Sequence, residues 1–129
     1  MYVVIDTNIL VSSLWSKNGS PAKILSMVLG GILIPCYDYR ILTEYREVLM
    51  RPKFCFSESE VDSLLDWIKS YGKSVVATPL NINFIDEDDK KFFEVAKFCD
   101  AKLITGNLKH YPEDADVISV GDFLNKYGK

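Results

Sequence analysis

The 129-residue chain is poor in histidine and cysteine and carries no excess of positive charge, and each shortage excludes a class of protein. A single histidine, His110, is too few for a histidine-rich metal site. Cys36, Cys55 and Cys99 are widely spaced without a C-x-x-C pair, which predicts reduced packing residues in a cytosolic protein. Eighteen Asp and Glu against fifteen Lys and Arg give a net charge of −3, so bulk positive charge does not hold nucleic acid.

The chain also lacks long hydrophobic runs, internal repeats and linkers. No apolar stretch approaches the roughly twenty residues that a membrane span requires. Residues 1–6 lack the basic segment that is typical of a signal peptide. Hydrophobic residues still make up 48% of the sequence, enough to build a core without disulfides. These features predict a single cytoplasmic domain over residues 1–129, with no membrane contact.

Short apolar runs alternate with helical patterns along the sequence. Period and boundary residues predict strands at 2–5, 32–35, 74–78, 102–105 and 117–120. Helices are predicted at 9–15, 20–29, 38–50, from 57 through 68, at 86–99 and at 122–127. This alternation predicts an α/β fold with three layers, α/β/α, around a mainly parallel central sheet.

Polar side chains follow several of the predicted strands. Ligands of parallel sheets bind off the carboxyl ends of the strands, where Asp6, Asp38, the loop before Asp86, and Asn107 would lie. Asp6 has the residue type of a helix N-cap, worth about 1 kcal/mol. Asn8 can cap the same helix equally well, which would leave Asp6 for chemistry.

Glu44 lies in a predicted helix among the three arginines of the chain. Arg40, Glu44, Glu47 and Arg51 fall on one stripe, which is typical of a solvated face with i,i+4 ion pairs. Because arginine binds phosphate through a planar fork of donors, a site holding both a metal and a phosphodiester is the alternative. In that case Arg40 or Arg46 would position the phosphodiester.

Residues 86–89, Asp-Glu-Asp-Asp, form the densest acidic cluster. The helix dipole favours acidic residues at a helix N-terminus, which accounts for one or two of them. Four consecutive like charges repel one another, and a bound cation would relieve that repulsion. Asp89 projects along the apolar side of the predicted helix, with Asp88 beside it, and a carboxylate there needs a partner. Oxygen ligands without His or Cys select the hard cations Mg²⁺ or Mn²⁺.

A Gly106-Asn107 pair follows the fourth predicted strand. A turn is the ordinary interpretation of this pair. At the same sheet edge, Asn107 is alternatively a neutral ligand or a group that orients water. His110 is interpreted as a surface histidine.

Taken in order, these motifs closely resemble those of the PIN domain family, in particular the toxin components of prokaryotic toxin–antitoxin systems, akin to VapC. The segments that carry the resemblance span essentially the whole chain: Val3-Val4-Ile5-Asp6-Thr7-Asn8, Thr43-Glu44-Tyr45, Asp86–Asp89 with Phe92–Ala96, and Leu103-Ile104-Thr105-Gly106-Asn107.

The resemblance implies a metal-dependent endoribonuclease. Asp6, Glu44 and Asp89 match the family's acidic set, which binds Mg²⁺ or Mn²⁺, so that a water activated by the cation attacks an RNA phosphodiester in line. A homodimer and a cognate antitoxin whose segment covers the site are implied as partners.

The resemblance also assigns supporting residues and one departure. Thr7 and Asn8 are expected to orient Asp6, and Thr105 to support the site through its hydroxyl. The family's fourth acidic position falls on Asn107, which puts a second metal in question. Two neighbours are candidates to compensate for the missing acid, Asp86 and Asp88.

Two other readings remain open from the sequence. One is a catalytically weak PIN-fold module that only binds RNA or a protein, and the Asn at position 107 favours it. The other is an aspartate-based phosphatase or receiver domain. A phosphatase of the haloacid-dehalogenase type requires a second aspartate at position 8, where this chain has Asn8. A receiver requires an adjacent acidic pair near the first strand, where only Asp6 is found.

Overall fold

Five short strands and six helices alternate along residues 1–112 and 115–128, the part of the chain that the computed structural model describes. The strands are β1 (Tyr2–Ile5), β2 (Ile34–Tyr37), β3 (Lys73–Ser74), β4 (Lys102–Ile104) and β5 (Val117–Ile118). The helices are α1 (Thr7–Trp15), α2 (Ser20–Leu29), α3 (Tyr39–Leu49), α4 (Glu58–Tyr71), α5 (Lys90–Cys99) and α6 (Val120–Tyr127). Three single 3₁₀ turns lie at Pro52–Phe54, Glu87–Asp89 and Leu108–His110.

All five strands run parallel in one sheet with the order β3-β2-β1-β4-β5. The chain builds the sheet outward from β1, first toward β2 and β3 and then toward β4 and β5. The strand order therefore reverses between β1 and β4, and the crevice at such a switch point is where parallel sheets bind ligands. The predicted three-layer α/β/α architecture is confirmed.

The central strand β1 is buried on both faces. Val3, Val4 and Ile5 are at most 2% exposed, as expected of a strand covered by helices on both sides of a parallel sheet. Helix α5 packs across β1, β2 and β4 and buries Phe92 and Val95 against them. This packing places the N-terminus of α5 next to the carboxyl end of β1.

Helix α3 is fixed relative to the sheet by two hydrogen bonds. The Asp38 carboxylate accepts the N–H of Ile41 at 3.0 Å, which caps the helix. One helical turn further, the buried Tyr45 hydroxyl donates to the carbonyl of Ile5 at the end of β1. Because Glu44 precedes Tyr45, this contact holds Glu44 beside the same end of β1.

Strand β2 begins two residues later than predicted, at Ile34 instead of position 32. Pro35 suggested the end of a strand, yet it pairs with Val3 inside the sheet. Ile34 donates its N–H to the Met1 carbonyl on the β1 side. Because the N–H groups of successive residues point to opposite neighbours, the nitrogen of position 35 faces β3, which begins only at Lys73. The missing proline N–H therefore breaks no ladder bond.

Several other boundaries also differ from prediction: β5 ends at Ile118 instead of position 120, and α6 begins at Val120 instead of position 122. The expected strand at 74–78 pairs only over Lys73–Ser74, after which the chain leaves the sheet edge and exposes Val76. The expected helix at 86–99 opens with a 3₁₀ turn because the Asp86 carboxylate accepts the N–H of Asp88 at 3.0 Å. The α-helix itself then begins at Lys90.

The three cysteines are free. Cys36 is buried in the core and Cys99 is half-buried, as expected of packing residues. Cys55 is exposed, so the interpretation as a packing residue was wrong for that position.

Candidate metal and active site

Asp6 lies at the switch point of the sheet, directly after β1. Its side chain is 4% exposed and makes no capping hydrogen bond to α1. Instead, the buried hydroxyl of Thr105, one residue past β4, donates to Asp6 Oδ2 at 2.7 Å. The Thr105 hydroxyl in turn accepts the N–H of Asn107 at 3.0 Å, which fixes its orientation. The main contact that holds Asp6 therefore comes from the segment directly after β4.

The Asp6 carboxylate lies in an unfavourable electrostatic environment. Burial raises its pKa above the ordinary value, and the Thr105 hydrogen bond and the Asn8 N–H oppose that shift only in part. The negative charges of Asp89 and Glu44 raise the pKa further. The three predicted acidic residues are thus close enough in space for their charges to repel one another.

Glu44 reaches this site from α3. The hydroxyl of Thr7 donates to Glu44 Oε2, and the Lys91 ammonium lies 2.7 Å from Glu44 Oε1. Thr7 was expected to orient Asp6, but its hydroxyl holds Glu44 instead. The side chain of Asn8, expected in the same role, is exposed.

Asp89 enters from the 3₁₀ turn that precedes α5. His110 Nδ1 lies 2.9 Å from Asp89 Oδ2, so the single histidine contacts the acidic site and is not simply a surface residue. Burial raises the pKa of Asp89, the His110 hydrogen bond lowers it in part, and the nearby Asp86 charge raises it. The side chains of Asp86 and Asp88 are exposed, and Asp86 caps the turn.

The two arginines expected at the phosphodiester have carboxylate partners elsewhere. Arg40 pairs with Asp38 at 2.7 Å and with the buried Glu94 at 2.8 Å. Arg46 pairs with Asp62 and Glu58, both on α4. Both guanidinium groups are therefore engaged with carboxylates in the folded chain.

A groove of about 680 Å³ opens beside Glu44, between α3 and the N-terminal end of α5. Lysine and arginine side chains lie along it next to acidic ones, so its charge is mixed. The charged residues of its lining are Arg40, Glu44, Glu47, Arg51, Glu87, Asp88, Lys90, Lys91 and Glu94.

The donor set suits a hard divalent cation, although the side chains do not yet converge. Within the described ranges, no three carboxylate, imidazole or thiol groups lie close enough together to hold one ion. Glu44 and Asp89 are instead turned toward Lys91 and His110.

One polar atom beside the site is left without a partner. The Tyr111 hydroxyl is buried and has no hydrogen-bond partner among the described residues. Burial raises its pKa, and the charges of Asp6, Asp89 and Glu44 raise it further, so it faces the acidic site. An unsatisfied buried hydroxyl beside three carboxylates is consistent with a site that accepts a hydrated cation.

Comparison with known protein families identifies the family of the chain. The family model described as PIN domain matches residues 2–109, which include every residue of the site except His110 and Tyr111. The chain belongs to the PIN domain family. PIN domains are typically nucleases, which favours phosphodiester chemistry over the phosphatase and receiver alternatives.

The chain also resembles a curated protein of unassigned function. The chain is 37% identical over 133 aligned positions to an uncharacterised protein of Methanocaldococcus jannaschii, covering 98% of this chain and 79% of that protein. No solved structure matches the chain. Among the helices of residues 1–112 and 115–128, none is long and apolar enough to cross a membrane.

Sequence reasoning missed four residues of this PIN domain site. His110 lies three positions after the Gly-Asn turn, and that spacing was the available signal. Lys91 and Glu94 look like part of a solvated helix face, because their partners are distant in sequence. Tyr111 looks like an ordinary core aromatic.

Proposed function

We propose that this PIN domain is a divalent-cation-dependent endoribonuclease whose Asp6, Glu44 and Asp89 carboxylates hold Mg²⁺ or Mn²⁺. The observation that carries the proposal is Asp6 itself. It is a buried carboxylate with two further carboxylates nearby and no cationic side chain paired with it in the described part of the chain. Such a group is costly to keep charged, and a divalent cation would remove that cost.

Each residue of the acidic site has a role in this proposal. Asp6 presents Oδ1 to the site, because Oδ2 is bound by Thr105. Thr7 fixes one oxygen of Glu44, and His110 orients Asp89. A divalent cation held there would supply a water of lowered pKa and positive charge for the scissile phosphate.

The groove beside Glu44 is the proposed path of the RNA strand. Lys90 lies along it and is available for phosphate contacts, as is Arg51, whose contact with Glu47 is exposed and long at 3.8 Å. Arg40 is committed to Asp38 and Glu94. The mixed charge of the groove agrees with the net charge of −3, since retention then depends on the cation as well as on lysine and arginine.

The cellular role that we propose follows the family resemblance. The chain would be the cytoplasmic toxin of a toxin–antitoxin pair, acting as a homodimer and inhibited by an antitoxin segment that covers the acidic site. A small antitoxin gene beside the gene for this chain would support this role. Copurification of the two products would test it.

The nuclease assignment is tested by incubating the purified protein with total RNA in Mg²⁺, in Mn²⁺ or in EDTA, and mapping the ends produced. The parent should cleave only with a divalent cation. Asp6→Asn and Asp89→Asn should each lower the rate at least about a hundredfold, since each removes a charged ligand. Circular dichroism and thermal melting provide the folding control. Parent-like cleavage by both variants would refute the assignment.

A module that binds without cleaving is the second candidate, and Asn107 favours it. Asn107 stands at the fourth acidic position and uses its N–H to fix Thr105, a structural role. This candidate predicts RNA binding in EDTA without cleavage in any cation. The aspartate-based phosphotransfer alternative predicts that beryllofluoride labels Asp6. The nuclease assignment predicts no such labelling.

A further inference from the structure

Lys91 is a partly buried lysine that contacts the acidic site at Glu44. Its side chain is 13% exposed, and its ammonium lies 2.7 Å from Glu44 Oε1. The ammonium also donates to the carbonyl of Asp88, and it lies 5.2 Å from the centre of the Phe92 ring. Three contacts therefore hold a cationic side chain at one fixed place beside Glu44.

The neighbouring Lys90 is different. It lies one position earlier on the same helix and lines the same groove, yet it has no ion-pair partner within the described residues. Lysine is usually a mobile, well hydrated point charge, so the immobilisation of Lys91 calls for an explanation. Packing alone does not provide one, because the contact is made by the charged end of the side chain.

The contact has a direct consequence for the carboxylates. With Thr7 on Oε2 and Lys91 on Oε1, both oxygens of Glu44 are occupied inside the protein. An ion held by Glu44 together with Asp6 and Asp89 would share Glu44 with the Lys91 ammonium, and the like charge of Lys91 would repel it. The described residues accordingly contain no convergent set of three ligands.

We propose that Lys91 is a built-in counter-cation, which holds Glu44 in the metal-free protein and competes with the divalent cation for it. This inference rests on the proposed function, because it assumes that Asp6, Glu44 and Asp89 form the metal site. The lysine stabilises the empty acidic site and sets a threshold of cation concentration below which the site stays closed. Lys91 is thus a positioning residue for Glu44.

Competition makes the metal affinity depend on Lys91 in a direction opposite to that of a supporting residue. Losing Lys91 should tighten Mn²⁺ binding by about three- to tenfold, the factor expected for releasing one partly buried ion pair. The metal-free protein should at the same time melt at a lower temperature. A residue that merely supports the site would weaken Mn²⁺ binding when replaced.

The experiment measures Mn²⁺ binding to the full chain by the electron paramagnetic resonance signal of free Mn²⁺. The variants are Lys91→Met, Lys91→Arg, Lys90→Met and Asp6→Asn. Lys90→Met is the matched control because it removes the same charge from the same helix without breaking a contact. We expect Lys91→Met to bind more tightly than the parent, and Lys90→Met and Lys91→Arg to stay within about twofold of it.

A second measurement uses the parent protein and needs no variant to fold. Mg²⁺ is titrated into protein carrying ¹³C-labelled lysine while the ε-methylene signal of Lys91 is followed. The signal should move toward the position of a solvated lysine as the site fills. A Lys91 signal that stays in place at saturating Mg²⁺ would overturn the inference.

The outcomes separate this inference from the proposed function. If parent and Lys91→Met bind Mn²⁺ equally and Asp6→Asn does not bind, the metal site stands and the role of Lys91 is refuted. If Lys91→Met binds more weakly than the parent, the role is refuted as well. If neither parent nor Lys91→Met binds Mn²⁺, both proposals fail. Binding by Lys91→Met where the parent shows none would support both.

Discussion

Two aspartates end two neighbouring strands of the same sheet, and the chain treats them in opposite ways. Asp6 follows β1 and is 4% exposed, while Asp38 follows β2 and is 6% exposed. Asp38 caps α3 through the N–H of Ile41 and pairs with Arg40 at 2.7 Å. Asp6 caps no helix, has the Thr105 hydroxyl as its partner, and faces two other carboxylates.

The difference separates a structural carboxylate from one that the fold does not need. At the end of β2, a helix cap and an arginine offset the cost of burying Asp38. At the end of β1, two neutral donors, the Thr105 hydroxyl and the Asn8 N–H, offset only part of the cost of burying Asp6. A carboxylate kept at a cost to stability indicates a function, and here that function is the proposed cation site.

The largest effect on stability is expected at Glu94, which shares Arg40 with the structural carboxylate Asp38. It is buried, pairs with Arg40 at 2.8 Å and accepts the N–H of Leu80 at 2.6 Å. Glu94→Ala leaves the Leu80 N–H unsatisfied and removes one of the two carboxylates that bind Arg40, so it should lower the free energy of unfolding by about 2–3 kcal/mol. Urea denaturation of the variant and the parent measures this change in the free energy of unfolding. Glu87→Gln, at an exposed position, should change little, and equal effects of the two would contradict the account.

Thr105 provides the next largest effect, at the end of β1. Its hydroxyl donates to Asp6 and accepts from Asn107, so Thr105→Val removes two buried hydrogen bonds. The free energy of unfolding should fall by about 1–2 kcal/mol. Thr105→Ser keeps the hydroxyl and should recover most of the loss in the same urea titration. If the serine variant is no better than valine, the loss comes from packing and not from the hydrogen bonds.

Removing the charge of each aspartate tests the comparison itself. In metal-free buffer, Asp38→Asn should destabilise the protein by about 1 kcal/mol because the ion pair with Arg40 is lost. Asp6→Asn should stabilise it by about 1 kcal/mol because a buried, repelled charge is removed. Urea titrations of the two variants beside the parent give both values. The same sign for both changes would remove the distinction drawn here.

A smaller effect is expected in the pH dependence of the Asp6→Asn variant. The pKa of Asp6 is raised in the folded protein above its ordinary value of 3.8, so the folded state binds the proton more tightly than the unfolded state. Asp6 therefore contributes stability to the metal-free parent below about pH 3.8, and this contribution is lost as the pH rises through the raised pKa. The advantage of Asp6→Asn in melting temperature should be larger at pH 7 than at pH 4. A constant advantage would mean that Asp6 does not titrate abnormally.

The sequence predicted the fold well where local and long-range signals agree. The uninterrupted apolar run of β1 and the capping aspartate before α3 both specify their elements without help from distant residues. The run at 74–78 has strand propensity, but the sheet edge pairs only with Lys73 and Ser74 and accepts one further hydrogen bond, from Val75 to Tyr37. Pairing depends on the neighbour, which a single sequence does not reveal.

The residues of the site also differ in how far the sequence predicts them. Periodicity places Asp6 after a strand and Asp89 on the apolar side of a helix, whereas Glu44 was assigned by its match to the PIN family motif. Their partners Lys91 and His110 do not stand out. Lys91 meets Glu44 across 47 positions of sequence, and His110 meets Asp89 across 21 positions, so only the packing of α5 and β4 against β1 brings them together.

The central claim is that the acidic site at the end of β1 binds a divalent cation, and a melting experiment with Mn²⁺ tests it most directly. At a concentration about a hundredfold above the dissociation constant, Mn²⁺ should stabilise the parent by about 2.7 kcal/mol, raising its melting temperature by roughly 10 °C. Asp38→Asn should keep the full increase and Asp6→Asn should lose most of it. An equal increase in all three proteins would contradict the claim, because the cation would then bind elsewhere.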